Sequence, residues 1–318
     1  MGDPVKNVSF VFIVGSPRSG TTIFGELLDR HPQVSQWYEP YFVWDRFFRL
    51  APHDERTAAD ATARVKGQIF RDFDRYRKKK KCWVLIDKSP RNSLKIPFIL
   101  TIFPRARFIH LLRDGRDVTL SIHKEWQRRR NIVQNPNQEG RFNYFKALAV
   151  LKSYLARQTF RQDKLRALWF ETHGHFLNKS GQLNRLRWQG DIGWGPRFKN
   201  WQQVYAQNSL LQFNAHQWRA CVQGIHRDWD LIQHQNRLTL RYEDLIADPE
   251  MKINEILDFM GVASSKEFIA SLPGLNAGNY NKWKSEFTGS QLKEIYPVLT
   301  PPLLEWGYAG SEAWLNQN

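Results

Sequence analysis

The first thirty residues leave this chain few ways to fold. Val8-Ser9-Phe10-Val11-Phe12-Ile13-Val14 is an apolar run that passes directly into Gly15-Ser16-Pro17-Arg18-Ser19-Gly20-Thr21-Thr22. Ile23, Phe24, Leu27 and Leu28 then recur at helical spacing, and His31-Pro32 closes the segment. A strand, a glycine-bounded turn and a helix in that order bring backbone N–H groups and the positive end of a helix onto one point, which makes an anion cradle. Gly15 and Gly20 keep the spacing of a nucleoside-triphosphate P-loop, but Thr21 stands where that loop carries its lysine. The basic group of the turn is Arg18 instead. The pattern predicts an anion site that is not built for ATP or GTP chemistry.

The rest of the chain repeats the alternation. Strands are expected at Trp83–Ile86, Arg107–Leu112 and Arg237–Tyr242. Helices are expected over Ser93–Phe103, from Val118 through Trp126, over Phe145–Phe170 and Gln202–Gln233, after Pro249, and over Ser290–Tyr296. Alternating strands and helices indicate an α/β fold, a three-layer P-loop-type parallel sheet flanked by helices, with a mostly helical central insertion. Without repeats or a clear linker, residues 1–318 read as a single domain. Residues 127–235 are its helical elaboration and the candidate acceptor or lid region. Ligands of such sheets gather at the carboxyl ends of the strands, so Arg18, Asp87-Lys88 and Arg113 are expected on one rim.

The formal charge of +16, from 47 Lys and Arg against 31 Asp and Glu, favours anionic partners. The densest basic run, Arg75 to Lys81, lies just before a strand and reads as a solvated loop. No zinc-finger, RNP or GXXG motif supports nucleic acid as a partner. Two cysteines, Cys82 and Cys221, are too few for a disulfide framework or a zinc cluster. With no membrane-spanning run and no signal-like start, the expected compartment is cytoplasmic. The histidines show no metal-ligand spacing; His173 and His175 lack a third ligand nearby, so no metal is expected.

Four ordered segments carry a resemblance. Pro17-Arg18-Ser19-Gly20-Thr21-Thr22 resembles the 5′-phosphosulfate loop of sulfotransferases that use 3′-phosphoadenylyl sulfate (PAPS). The stretch from Arg113 to Ser121 resembles their 3′-phosphate site. Arg241-Tyr242-Glu243-Asp244-Leu245 resembles a third family segment, and Lys282-Trp283-Lys284 lies where the family brings basic residues back to the nucleotide. Tyr38-Glu39-Pro40 and Asp87-Lys88-Ser89-Pro90-Arg91-Asn92 are similar to segments of the bacterial and carbohydrate-type branch.

The resemblance implies PAPS as donor, adenosine 3′,5′-bisphosphate (PAP) as product, and no metal. It also implies in-line transfer of a sulfuryl group to a hydroxyl or amine of a polar small-molecule or carbohydrate acceptor, by a monomer or homodimer. Residue chemistry is compatible. Ser19, Thr21 and Thr22 hydroxyls can donate to a phosphate, and Arg18 offers a planar cation to developing negative charge. Arg113 with Ser121 can grip a second phosphate. Glu39, a lone acid in an aromatic stretch, is the candidate base, with an ion pair to Arg46 as the alternative. The family's cytosolic branch uses a histidine, where this chain has Asp87-Lys88-Ser89-Pro90. Lys88 is placed to assist the sulfuryl group, or to pair with Asp87. Trp188 and Trp194, in glycine-containing sequence, are candidates for lining an acceptor pocket. The competing readings are a P-loop nucleotide kinase-like enzyme and a non-catalytic nucleotide- or polyanion-binding module.

Overall fold

Strand β1 (Phe10–Val14) is buried at all five positions, and its alternation divides the core. Phe10, Phe12 and Val14 join one apolar cluster, while Val11 and Ile13 join another on the opposite face. Such a doubly buried strand is what a parallel sheet with helices on both faces requires. The computed structural model describes residues 10–134, 152, 155–158, 160–169, 194–272, 280–309 and 314.

Four more strands, β2 (Val34–Tyr38), β3 (Val84–Lys88), β4 (Arg107–Leu112) and β5 (Arg237–Arg241), complete a sheet of order β2-β3-β1-β4-β5. Every pairing is parallel, as the alternation predicts. The chain moves to one side of β1 for β2 and β3, then to the other for β4 and β5. The change of direction opens a crevice at the carboxyl end of β1, where Ile13 pairs with Lys88 and Val14 with His110.

Twelve numbered α-helices accompany the strands among the described residues, besides the helical residues 161–169 and short 3-10 turns. α1 (Thr21–Leu28) covers one face of the sheet with α8 (Tyr242–Ala247), α9 (Pro249–Met260) and α10 (Lys266–Ala270). The opposite face is covered by α2 (Tyr41–Trp44), α3 (Ala63–Lys80) and α4 (Ile96–Ile102). A third cluster unites α5 (Gly115–Gln134), α6 (Trp201–Gln207), α7 (Leu210–Trp229), α11 (Trp283–Glu286) and α12 (Gly289–Glu305).

Four expectations are corrected. The basic run before β3 is not a loop but the end of the eighteen-residue α3. Val65, Ile69, Phe73 and Tyr76 form its buried stripe, and the cations of its last turn suit the negative end of a helix. Ser93–Phe103 is not one helix: Pro90–Leu94 forms a 3-10 turn and α4 follows. Gln202–Gln233 is broken at Asn208, because Ser209 and Gln212 form a capping box that starts α7 afresh. The last helix runs on to Glu305 through Pro297, Pro301 and Pro302. Its buried residues Leu292, Ile295, Leu299 and Leu303 pack into the third cluster, which outweighs the hydrogen bonds the prolines forgo. Of the expected helix Phe145–Phe170, residues 161–169 are helical, and most of the remainder lies outside the described residues.

Candidate active site

The turn after β1 is pressed against its neighbours. A Cβ on Gly15 would stand 2.6 Å from the Leu111 carbonyl oxygen, and one on Gly20 would stand 2.5 Å from the Tyr242 ring. Gly20 also has φ 90°, a left-handed backbone that suits glycine. Ser93 clasps the turn from the 3-10 segment. Its Oγ accepts from Gly15 N at 2.9 Å and donates to Gly15 O at 3.0 Å. Ser16 and Ser19 hydroxyls lie 2.6 Å apart, and Ser19 and Thr21 are buried while Thr22 is half-buried. Pro17 is buried and Arg18 is exposed at the tip, with φ 69°.

Arg18 is tied to the segment after β4. Its Nε donates to Ser121 Oγ at 2.9 Å, and Arg113 Nη1 donates to the Arg18 carbonyl at 3.1 Å. The Arg113 guanidinium lies 4.6 Å from the centre of the Tyr242 ring, the same ring that packs on Gly20. Thus the segments around 18, 113, 121 and 242, scattered through the sequence, meet at one rim.

A carboxylate network holds the start of α5. Asp114 and Arg116 are buried and paired at 2.7 Å. Glu243 accepts from Asp114 N and from Tyr308 Oη at 3.1 and 2.8 Å. Burial raises the Glu243 carboxyl above its ordinary range, and raises the Tyr308 phenol also. Asp117 accepts from Trp283 N at 3.0 Å and Asn281 N at 2.8 Å, which draws Lys282-Trp283-Lys284 to this end of α5. Trp283 is buried, with the Arg116 guanidinium 4.1 Å over its ring, whereas Lys282 and Lys284 are exposed.

Across the crevice, Lys88 ends β3 beside Tyr38, the last residue of β2. Lys88 Nζ donates to Glu39 Oε1 at 2.5 Å and lies 4.3 Å from the Tyr38 ring centre. The lysine side chain is 1% exposed and the glutamate 19%, so the pair reaches solvent through its carboxylate. Glu39 has φ 41°, again left-handed, because the chain turns from β2 into α2 at Pro40. Gln158, buried, donates to the Tyr38 carbonyl at 3.1 Å, and the Arg157 guanidinium lies 4.5 Å from the centre of the Tyr38 ring.

Neither alternative pairing is made. Arg46 meets Asp72, not Glu39. Asp87 turns away from Lys88 into the core, where Trp44 Nε1, Ser89 Oγ and Asn92 Nδ2 donate to it at 2.6, 2.6 and 3.0 Å. Burial raises the Asp87 carboxyl, against the pull of those donors. Ser93 and Trp44 were missed by sequence reasoning, since each acts through a neighbour and neither belongs to a recognisable spacing; Asn92, within the Asp87–Asn92 segment, was given no role of its own. Trp194 is half-buried, and its carbonyl accepts from Gln217 at 2.8 Å. Trp188, His173 and His175 lie outside the described residues. No group of three or more His, Cys, Asp or Glu among the described residues is placed to hold a metal.

The comparisons agree on one relationship. The Sulfotransferase family model matches residues 10–171 and 196–266. Nodulation protein NoeE of Sinorhizobium fredii is 29% identical over 133 residues, covering 36% of this chain and 31% of that protein. Protein-tyrosine sulfotransferase 1 of Danio rerio is 30% identical over 138 residues, covering 40% of this chain and 38% of that protein. The matches thus span about a third of the length of these relatives. The sulfotransferase domain of the Synechococcus PCC 7002 olefin synthase superposes with TM-score 0.52 at 16% identity, covering 98% of this chain and 99% of that one, and so shares the fold. A match through β1, its turn, β3, β4 and β5 takes in most of the chain, which therefore belongs to the sulfotransferase family.

Proposed function

We propose that this protein transfers the sulfuryl group of PAPS to a hydroxyl or amine of a polar small-molecule or carbohydrate acceptor. The observation that carries the reading is the double tie of Arg18 to Ser121 and Arg113. Two anion-binding segments locked together suit a nucleotide with phosphate at both its 5′ and 3′ positions, a feature ATP lacks.

In this reading the amides of residues 15–22, with the Ser19, Thr21 and Thr22 hydroxyls, hold the 5′-phosphate. Gly20 keeps the turn low enough for that approach, and Pro17 shapes its entry. Arg113 and Ser121 hold the 3′-phosphate, and Lys282 and Lys284 add positive charge from α11 while Trp283 anchors them. Glu39 accepts the acceptor's proton as its oxygen bonds to sulfur. The sulfur–oxygen bond to the 5′-phosphate breaks with its electron pair going to that phosphate. Arg18 and Lys88 stabilise the charge that grows on the leaving and transferring oxygens. Positive side chains supply the stabilisation, so the reaction is proposed to need no metal. The middle of the chain, roughly 127–235, is assigned to the acceptor side, since Gln158 and Arg157 meet Tyr38 beside Glu39.

No helix among the described residues is long and apolar enough to cross a membrane. Cys82 and Cys221 are both free and buried, which supports the reducing cytoplasm as the compartment.

Calorimetry with PAP and with ATP tests the donor. Preference for ATP with magnesium would replace this reading by a kinase-like one. Incubation with labelled PAPS and acceptor pools, followed by mass identification of the product, tests turnover; binding without any transfer would favour the non-catalytic module.

A further inference from the structure

A second concentration of positive charge lies outside the donor site, on the flank formed by α3. Asp72, almost fully buried, is met by three guanidiniums: Arg46 at 3.1 Å, Arg75 at 3.3 Å and Arg166 at 3.0 Å. Asp163 lies 3.5 Å from Arg166, and Lys79 is close enough to act on Asp163. Four cations therefore face two carboxylates. Burial, with Arg166 and Arg75 alongside, pushes the Arg46 guanidinium below its ordinary range even though Asp72 faces it. Each guanidinium carries about five N–H donors, and two carboxylates cannot occupy them all.

Arg46, Asp72, Arg75 and Arg166 line an open surface depression of about 460 Å³ between α3 and the helical residues 161–169. Gln68 and Gln162 line it with amides, and Leu165 adds an apolar wall. Arg71 reaches Gln68 Oε1 from the next turn at 3.2 Å and adds further positive charge to the rim.

We propose that this open basic depression is a second anion site that takes the sulfate ester or carboxylate of a polar, sugar-like ligand. Paired guanidiniums provide the forked donors that an oxyanion needs, and the two amides provide partners for hydroxyls. Arg46 lies in the turn after α2, the short helix that begins two residues beyond Glu39. Resting on the sulfuryl-transfer reading, the ligand is an acceptor that already carries an anionic group and is anchored here by that group.

The test is calorimetry on the full chain saturated with PAP, so that anions cannot enter the donor site. Glucose 6-sulfate, glucuronate and glucose are titrated in turn. At least one anionic sugar should bind, at least about tenfold more tightly than glucose, and the two anionic arms distinguish sulfate from carboxylate recognition. Gln68→Glu, which adds a negative charge without removing an arginine, and Arg75→Gln, at an exposed position, should each weaken that binding about tenfold with PAP affinity unchanged. Equal affinity for glucose, no anionic binding, or wild-type affinity in both variants would overturn the proposal. Failure of the sulfuryl-transfer reading would show separately, as loss of PAP binding in the first titration, and the sugar titrations would then be run on the chain alone.

Discussion

Arg18 Nε donates to Ser121 Oγ at 2.9 Å across 103 positions of sequence, joining the tip of the first turn to the second turn of α5. The serine therefore meets the loop arginine as well as the phosphate proposed for it. Ser121→Ala should weaken PAP binding about tenfold, the scale of a lost hydrogen bond to a charged group. Arg113→Ala should weaken it more, because the loop carbonyl of Arg18 loses its donor too. Calorimetry measures both; unchanged affinity in either variant would remove that residue from the 3′-phosphate site.

The Glu39–Lys88 contact divides binding from chemistry. Glu39→Gln preserves shape and a hydrogen-bonding oxygen for Lys88 but cannot take a proton. It should reduce turnover by about 100-fold or more while leaving PAP affinity intact. Wild-type turnover across pH would show that another group is the base.

His110 offers a prediction about stability. It is fully buried in β4 between the edges of Trp229 and Trp306, with no hydrogen-bond partner on either ring nitrogen. Burial lowers its pKa from 6.5 to about 3. Between those values the unfolded chain binds a proton that the folded chain refuses, so stability rises with pH through this window and is lost as pH falls. Within it each pH unit is worth about 1.4 kcal/mol at most. His110→Phe should flatten the dependence of denaturation midpoint on pH between about 3 and 6.5, relative to wild type. An identical slope in the two proteins would place the dependence elsewhere.

Gly20→Ala should destabilise the fold by about 1–3 kcal/mol, since the left-handed backbone and the Tyr242 ring both oppose a Cβ. Chemical denaturation would read the loss. A variant as stable as wild type would mean that Tyr242 can withdraw.

Four of the five strands and the meeting of Arg18 with Arg113 at one end of the sheet were legible because each depends on local pattern, whereas β2 was not expected. β1 and β4 are continuous apolar runs, and the rule for parallel sheets brings their carboxyl ends together. What joins them was not legible. Ser93 clasping Gly15 depends on a 3-10 turn that spacing alone could not separate from a helix. The burial of the Asp114–Arg116 pair was not legible either, because opposite charges near in sequence say nothing about depth. α3 was hidden for a different reason: its basic last turn masked a regular apolar stripe at Val65, Ile69, Phe73 and Tyr76.

Arg18 and Glu39 both adopt left-handed backbone, at φ 69° and 41°, where the other described residues with such angles are glycines, asparagines and Lys81 at the end of α3. Folding alone would favour glycine at both positions. Retaining an arginine and a glutamate there sets conformational ease against chemistry, so the most readily folded version of this protein is one without its proposed reacting side chains. Selection for stability alone would drift towards an inert scaffold, and continued turnover is what would hold these two residues in place.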